Sequence, residues 1–588
     1  STSRRQRQMC IRDSLKPYIY AKPNKLLSIF VTLSKLPSAF KRERMIAPML
    51  TTFLALLPIL WLIVALAILK IPAWKACGIA AIGSFILAVT YFEKAAGIMF
   101  SGALEGIALA VWPILLVITA AIFTYNLVVH TKAMETIKMM LSSVTSDMRI
   151  LALLLAWGFG AFMEGMAGFG TAVAIPAAMM VAVGFDPLKS ILACLVANSV
   201  PTTFGSIAIP TTTLASLTNL DPVHLGTFIS SQLFILNVIA PFFVVGIIGG
   251  GFKALKGVFI ITLLSGLALA IPELIINAAA GPELSVMVSS VIIMGVIILG
   301  AKFLPTNDPE YKVESTATTT VSAKEGFVAA LPFILIVILL ILTSKLVPAI
   351  NGPLSTIKTA VPIYQGPGAK PYTFMWVATP GIMIFIAAFI GGSVQKSSFG
   401  EMFGVLSKTF ANLKFTYLTI ISVVVTAKLM TYSGMTTDIA KALVAATGSL
   451  YPAFAPLVGA LGAFLTGSGT NANVLFGPLQ LAAAHDLAPE YKDLPLWLAA
   501  INSGAAGIGK MFSPQSMAIA IGAVAPALDA YIESNKVDDA KANQLRESIK
   551  ANVIMVSVLK YFIIFIVANG VVSYFGHNFI EHIQAFLL

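Results

Sequence analysis

Gly160-Ala161-Phe162-Met163-Glu164-Gly165, running on to Pro176, returns as Gly462-Ala463-Phe464-Leu465-Thr466-Gly467, running on to Pro478. In both copies the Pro lies sixteen positions after the first Gly. Downstream, Asn198-Ser199, Gly205 and Pro210 are matched by Asn502-Ser503, Gly509 and Pro514, with Gly seven and Pro twelve residues after Asn each time. Only the middle differs, by two residues. Such a run of matches inside apolar sequence marks an internal repeat. Apolar segments interrupted by Gly and Pro at corresponding positions of two halves point to a transporter's binding site.

The composition agrees. Of 588 residues, 58% are hydrophobic and 11% charged, whereas a soluble domain keeps roughly a quarter of its residues charged. Mean hydropathy is +0.90. This is a polytopic membrane protein. The formal charge of +12 is partly local, because residues 1–44 are strongly basic. No basic surface interleaved with aromatics appears elsewhere, so no nucleic-acid partner is expected. Cys10, Cys77 and Cys194 show no pair spacing, and the five histidines form no HxxxH or HExxH pattern. Neither a disulfide, a metal nor another cofactor is expected. Residues 1–44 read as a basic N-terminal extension, either foreign to the native chain, with Met45 as its start, or a cytoplasmic tail.

Apolar runs long enough to cross about 30 Å of hydrocarbon lie near 46–69, 76–92, 110–128, 225–248, 257–275, 284–301, 326–345, 373–391, 414–431 and 551–575. Around Gly165-Met166-Ala167-Gly168-Phe169-Gly170-Thr171 each apolar flank is short for a full span. That predicts a helical hairpin over 149–184 that enters and leaves on one side. The second copy predicts a hairpin over 452–488, turning at Thr466-Gly467-Ser468-Gly469-Thr470-Asn471-Ala472-Asn473. Each hairpin precedes a span broken in its middle, 188–219 and 494–528. The chain therefore divides into a first repeat (45–250), connecting helices and a loop (251–325), a second repeat (326–575) and a tail (576–588).

Lys and Arg in short loops place Lys70, Lys75, Lys132, Lys138, Arg149, Lys253, Lys256, Lys396, Lys408 and Lys414 in the cytoplasm, leaving Asp221, Glu273 and Glu283 outside. The hairpins then open on opposite sides, so the repeats are inverted. The predicted fold class is an all-α polytopic membrane protein with about twelve transmembrane spans, two re-entrant helical hairpins and two inverted repeats. Both native termini fall outside. Loops 302–325 and 346–371 read only as connections, and amphipathic stretches near 132–146 and 434–449 follow equivalent spans in each half.

Irregular backbone at membrane depth survives only against protein or a water-filled cavity, so hairpin tips and breaks should face inward around a site. The alternative is kinked helices with close glycine packing. The candidate substrate-binding residues are Gly168, Phe169, Gly170, Thr171, Ser468, Gly469, Thr470, Asn471 and Asn473 on the tips. On the broken spans they are Asn198, Ser199, Thr202, Asn502, Ser503, Ser513 and Gln515. Singly each could be a helix cap, but a converging set outlines a ligand site. Charge breaks the pseudo-symmetry twice: Glu164 stands where the second copy has Thr466, and Lys510 where the first has Ser206. Ionisable residues at depth are costly and usually functional. Lys510 suits the counter-charge of a carboxylate substrate. Glu164 suits a proton carrier, since burial raises a carboxyl pKa. The alternative is a structural Glu164–Lys510 ion pair. Lys428 is a secondary charge candidate unless it snorkels to the interface, and Glu105 reads as structural. No nucleophile elbow, metal-ligand cluster or phosphate loop is present, so no catalytic residue is assigned and no enzyme is expected.

At these residues the chain resembles the bacterial L-lactate permease family. The resemblance rests on Glu164-Gly165-Met166-Ala167-Gly168-Phe169-Gly170-Thr171 through Ile175-Pro176, on Ala197-Asn198-Ser199-Val200-Pro201 through Phe204-Gly205, and on Met430-Thr431-Tyr432-Ser433-Gly434-Met435. It continues in Phe464-Leu465-Thr466-Gly467-Ser468 through Asn473-Val474-Leu475-Phe476-Gly477 and in Gly509-Lys510-Met511-Phe512-Ser513-Pro514-Gln515-Ser516. The match covers about 45–575, although the turn at 467–473 is poorer in Ser and Thr than the family pattern. The resemblance implies proton-coupled uptake of L-lactate, with D-lactate, glycolate and related 2-hydroxy monocarboxylates, by a multi-pass protein of the bacterial plasma (inner) membrane. More distantly, the paired hairpins are similar to the ion-transporter superfamily, which implies an elevator-type movement. The alternatives are a sodium-coupled carboxylate or dicarboxylate symporter and an anion channel. The expected partners are a small monocarboxylate anion (lactate, glycolate), a proton and the lipid bilayer, with a homodimer as an option.

Overall fold

The structure, a computed structural model, describes residues 47–576 except 169, 305, 307, 313–320, 345, 488–492 and 535. The N-terminal extension, nearly all of the tail and the candidate Phe169 lie outside the described residues. Among those described, twelve helices are long and apolar enough to cross a membrane, or up to thirteen when a bent pair counts as one span. A single two-stranded ribbon accompanies them.

The outer frame opens with α1 (Ala47–Ile63), which continues as a π-helical turn, and α2 (Ala73–Thr90). Next come α3 (Ala96–Leu109) and α4 (Leu116–His130). The apolar run near 110–128 proves to be the second part of a longer segment, broken where Trp112 leaves helical geometry (φ −133°, ψ 112°) ahead of Pro113. A proline ring restricts the residue before it to extended backbone, which locates the break. The short amphipathic α5 (Ala133–Ser142) follows.

The first hairpin is α6 (Met148–Met166) and α7 (Thr171–Ala182). Gly168 (φ +57°) and Gly170 (φ +89°) take left-handed geometry in its turn. Contrary to the expectation of two short arms, α6 has 19 residues and passes the length test for a span. A π-helical stretch at Leu153–Phe159 lies in its middle. The broken span follows as α8 (Pro187–Asn198), a 3₁₀ turn (Pro201–Phe204) and α9 (Gly205–Thr218), bent by 60°. Ser206, Ile207 and Ala208 at the start of α9 are all left-handed, with φ of 47°, 59° and 57°. Each costs about 1–2 kcal/mol in an L-residue, so the surrounding packing must impose the turn.

Helices α10 (Pro222–Ile248), α11 (Phe259–Ala280) and α12 (Ser285–Phe303) complete the first half. Glu273, expected outside on charge counting, is instead fully buried within α11, where Asn237 Nδ2 donates to Oε1 at 3.0 Å. Counting charges cannot distinguish a loop acid from one turned into a helix–helix seam. Arg149 likewise leaves the loop. It is 1% exposed and pairs with Asp147 Oδ2 at 2.7 Å, donates to the carbonyls of Ala254 and Lys256, and stacks over the Tyr311 ring. Burial opposes ionisation of Asp147. The hydrogen bonds from Arg149 and Thr306 outweigh it and hold this carboxyl below the usual carboxylate range.

The second half begins with α13 (Ala323–Thr343) and α14 (Pro348–Thr356). The ribbon then pairs β1 (Lys358–Val361) antiparallel with β2 (Tyr372–Met375), and α15 (Pro380–Val394) follows. The apolar run near 373–391 is thus not one span. Its aromatic and β-branched start suits a strand, and Pro380 opens a helix of only 15 residues. The long α16 (Phe399–Ser433) and α17 (Met435–Thr447) precede the second hairpin, α18 (Tyr451–Thr466) and α19 (Gly469–Leu487). Helices α20 (Leu494–Met511) and α21 (Pro514–Ser534) occupy the expected second broken span. Pro514–Glu533, however, is long and apolar enough to cross by itself, and among the described residues the one bent pair is that of the first half. Helices α22 (Asp539–Ser548) and α23 (Ala551–Gly576) close the described chain.

Packing sorts these elements into two groups. Helices α1 to α4, α13, α15 and α16 pack on one another as a frame. The hairpins and broken spans form an inner group on which α10, α11, α12 and α23 pack. Within it the two halves of the chain interlock: α7 lies on α21, and α19 lies on α9. Of the inner group's helices long and apolar enough to cross a membrane, α6 is the most deeply buried, 89% of its apolar window against 33% for α21.

Candidate functional site

Lys510 stands in the last turn of α20, two residues before Phe512, where the helix ends. Glu164 sits near the end of α6, just before the first hairpin's turn. Their helices bring Lys510 Nζ to 2.7 Å from Glu164 Oε1, with side chains only 7% and 3% exposed. Lys510 Nζ also reaches Thr202 Oγ1 at 3.4 Å. With its amide oriented to satisfy both charges, Asn198 donates from Nδ2 to Glu164 Oε2 (2.9 Å) and accepts at Oδ1 from Lys510 Nζ (3.2 Å). Thr202 donates to the Asn198 carbonyl at 2.6 Å. Gly205 makes room for this arrangement, because a Cβ there would collide with the Glu164 carboxylate. The second hairpin's tip closes one flank: Gly469 faces Thr202 and Pro210.

A second polar layer runs beside this cluster. Tyr451 donates to Gln480 Oε1 (2.8 Å), Gln480 Nε2 reaches Asn502 Oδ1 (3.4 Å), and Asn502 Nδ2 donates to Asn473 Oδ1 (3.0 Å). Asn473 Nδ2 then serves both Ser503 Oγ (2.8 Å) and the Pro210 carbonyl (3.0 Å). Ser503 shares a short hydrogen bond with Thr203, and the Thr211 hydroxyl donates to the Thr203 carbonyl. Asn473, Asn502 and Ser503 are therefore partnered inside the protein, and the layer ties the two broken spans together.

The remaining sequence candidates divide. Thr171 donates back to the Gly168 carbonyl, and Ser199 to that of Val196. Ser468 accepts from the Asn471 backbone, and Ser513 from that of Gln515. These four side chains act as caps and turn closures. Gly170 packs on Ile519, and the exposed Gln515 packs on Gly467. Thr470 is buried at the start of α19, and beside it Asn471 Oδ1 is buried with no partner among the described residues. Lys428 lies elsewhere. It pairs with Glu105 at 2.7 Å on the frame, so both side chains face inward and Lys428 does not snorkel. Sequence reasoning missed Tyr432, which donates to Glu105 Oε1 at 2.7 Å. A signal was present: Lys428 and Tyr432 stand four apart on one helix face.

Chemically, the Lys510 cluster offers one ammonium, one carboxyl and a hydroxyl, all contributed by helix ends and breaks. Such a set can bind one carboxylate at the lysine while the glutamate takes or releases a proton.

The description "L-lactate permease" belongs to the family model that matches residues 51–528. An L-lactate permease of Streptococcus iniae is 45% identical over 452 residues, covering 77% of this chain and 94% of that protein. Glycolate permease GlcA of Escherichia coli K12 is 32% identical over 509 residues, covering 81% of this chain and 90% of its own. An L-lactate permease of Bacillus subtilis 168 is 32% identical over 518 residues, with coverage of 81% and 90%. Among solved structures, the Alcanivorax borkumensis YdaH transporter aligns over 86% of each chain, at 13% identity and a TM-score of 0.32.

Proposed function

The chain belongs to the L-lactate permease family, and we propose that it takes up L-lactate, with D-lactate, glycolate and related 2-hydroxy monocarboxylates, by proton symport. It is a multi-pass bacterial membrane protein, and the membrane is the plasma membrane. The observation that carries the reading is the buried Lys510–Glu164 pair at 2.7 Å, made from residues of both halves. One ammonium balances one carboxylate, which suits a monocarboxylate better than a dicarboxylate. When Glu164 is protonated, Lys510 is free to pair with the substrate, and the loaded site is electrically neutral. Neutrality lowers the cost of carrying the site past apolar surroundings.

Alternating access follows from the division into frame and inner group. Two inverted repeats supply two nearly equivalent packings of one structure. The hairpins and broken spans, carrying α10, α11, α12 and α23, shift as one body against α1 to α4, α13, α15 and α16. The amphipathic α5 and α17 join the two.

Uptake of radiolabelled L-lactate into proteoliposomes tests this. Accumulation should follow an inward proton gradient, collapse with a protonophore and compete with glycolate. Accumulation that needs a sodium gradient and ignores the proton gradient overturns it, and ion currents without counterflow would indicate a channel.

A further inference from the structure

A cavity of about 420 Å³ lies outside the Lys510 cluster, between the frame, α9 and the ribbon, whose connecting loop (Lys370) and second strand (Tyr372) also line it. Its size falls in the range of roughly 300–1,000 Å³ usual for small-molecule sites. Glu105 of α3 with Lys428 and Tyr432 of α16 line one side, and Ile207 and Thr212 of α9 line the other. The charged side is a built feature. Gly102 and Gly106 leave no side chain where the Tyr432 ring and the Val425 backbone pass, so α16 comes close to α3 and Glu105 meets Lys428. Tyr432 is fixed from behind by Tyr364, whose ring stacks on it at 3.7 Å and 5°.

Lys428 Nζ gives one N–H to Glu105 Oε1 (2.7 Å) and one to Tyr432 OH (3.2 Å). An ammonium has three donors, so one remains. Among the described residues Glu105 Oε2 has no hydrogen-bond partner, although Oε1 accepts from both Lys428 and Tyr432. The side chains keep 12% and 8% exposure, on a cavity that both line. The set of ammonium, carboxyl and hydroxyl is also that of the Lys510 cluster, with the same 2.7 Å separation. The two sets flank one bend: Thr202 belongs to the Lys510 cluster, Thr212 lines the cavity, and the left-handed turn Ser206–Ala208 lies between them.

We propose that this cavity is a second binding station for the 2-hydroxy monocarboxylate, on the frame side of the interface. Lys428 takes the carboxylate, and Glu105 with Tyr432 takes the 2-hydroxyl. The assignment rests on the monocarboxylate reading above. The station holds substrate beside the bent segment before or after it occupies the Lys510 site.

Equilibrium binding of radiolabelled L-lactate to the purified full chain in nanodiscs, titrated to saturation, tests it. The wild type should bind two equivalents. Lys510→Met should retain one, and the paired substitution Glu105→Gln with Lys428→Met, which removes both charges together, should also retain one. Tyr432→Phe keeps the stacked ring and should weaken one site about tenfold. A wild type with a single site that Lys510→Met abolishes and the paired variant leaves unchanged overturns the station. So does folded Tyr432→Phe protein with both affinities intact, which keeps the test decisive if the paired variant does not fold. A wild type that binds neither lactate nor glycolate fails the monocarboxylate reading itself.

Discussion

Lys510 Nζ stands 2.7 Å from Glu164 Oε1, yet the repeat mates of these residues are the neutral Ser206 and Thr466. The two positions at which charge departs from the repeated sequence pattern thus meet in the fold. Removing one partner of a buried pair strands the other, at a cost of about 3–5 kcal/mol. Lys510→Met is expected to abolish lactate uptake and one of the two binding equivalents. Lys510→Met with Glu164→Gln should recover thermal stability without recovering uptake. Melting curves and uptake measured on both variants check this. Unchanged lactate affinity in folded Lys510→Met would remove the lysine from the site.

Glu164→Gln mimics the protonated carboxyl permanently. Lactate exchange across proteoliposomes should survive, while accumulation against a gradient driven by protons should fail. Complete loss of binding would favour a structural ion pair, and intact accumulation would move the coupling group elsewhere.

Movement of the inner group predicts two cross-linking patterns. Cysteine pairs between α9 and α4, which are packed together here, should cross-link under one gradient. Pairs offset along the same helices should cross-link under the opposite gradient. Cross-linking at a single depth in both conditions would contradict an elevator.

Gly509 lies one residue before Lys510, and the place where its Cβ would stand is filled by the carbonyl of Ala460 in α18. Overpacking of this kind costs about 1–3 kcal/mol or more, and the neighbour here is backbone that cannot rotate away. Gly509→Ala should lower the melting temperature by several degrees and displace Lys510. Gly522→Ala, with open space around it, should do neither.

Asp147 supplies a pH dependence with a definite sign. Its carboxyl is held below the ordinary value of 3.8, so the native state favours the charged form. The Arg149 contact therefore contributes fully above that value, and the contribution is lost as the pH falls through the lower native value. Asp147→Asn should reduce the melting temperature at neutral pH, and the difference from wild type should shrink below about pH 4.

The turns between paired helices and the first bend are legible because Gly and Pro mark backbone irregularities directly, as at Gly168, Gly467 and Pro201. The second break around Pro514 is less so, since the helix it opens is long enough to cross by itself. The meeting of Glu164 with Lys510 was legible as an alternative, since both interrupt one repeat pattern. The Glu105–Lys428–Tyr432 cluster was not, because it depends on how closely α16 approaches α3 across 323 residues of chain. Tyr372–Met375 was hidden for a different reason: its side chains are as apolar as the helix they precede. Burial of Glu273 depends on the seam with α10, which periodicity within α11 alone does not reveal.

Thr203 and Ser503, hydrogen-bonded to one another, are 300 residues apart, and Asn473 completes the same layer through the Pro210 carbonyl. A ribosome adding 5–20 residues per second makes the first broken span roughly 15–60 s before these partners exist. Throughout that interval the Thr203 hydroxyl and the Pro210 carbonyl stand without Ser503 and Asn473, the second-half partners they have in the finished fold. Hydrocarbon does not tolerate such groups. The polar layer between the broken spans is therefore complete only once residues near 503 have been made, so the order of synthesis puts the closing of this layer late.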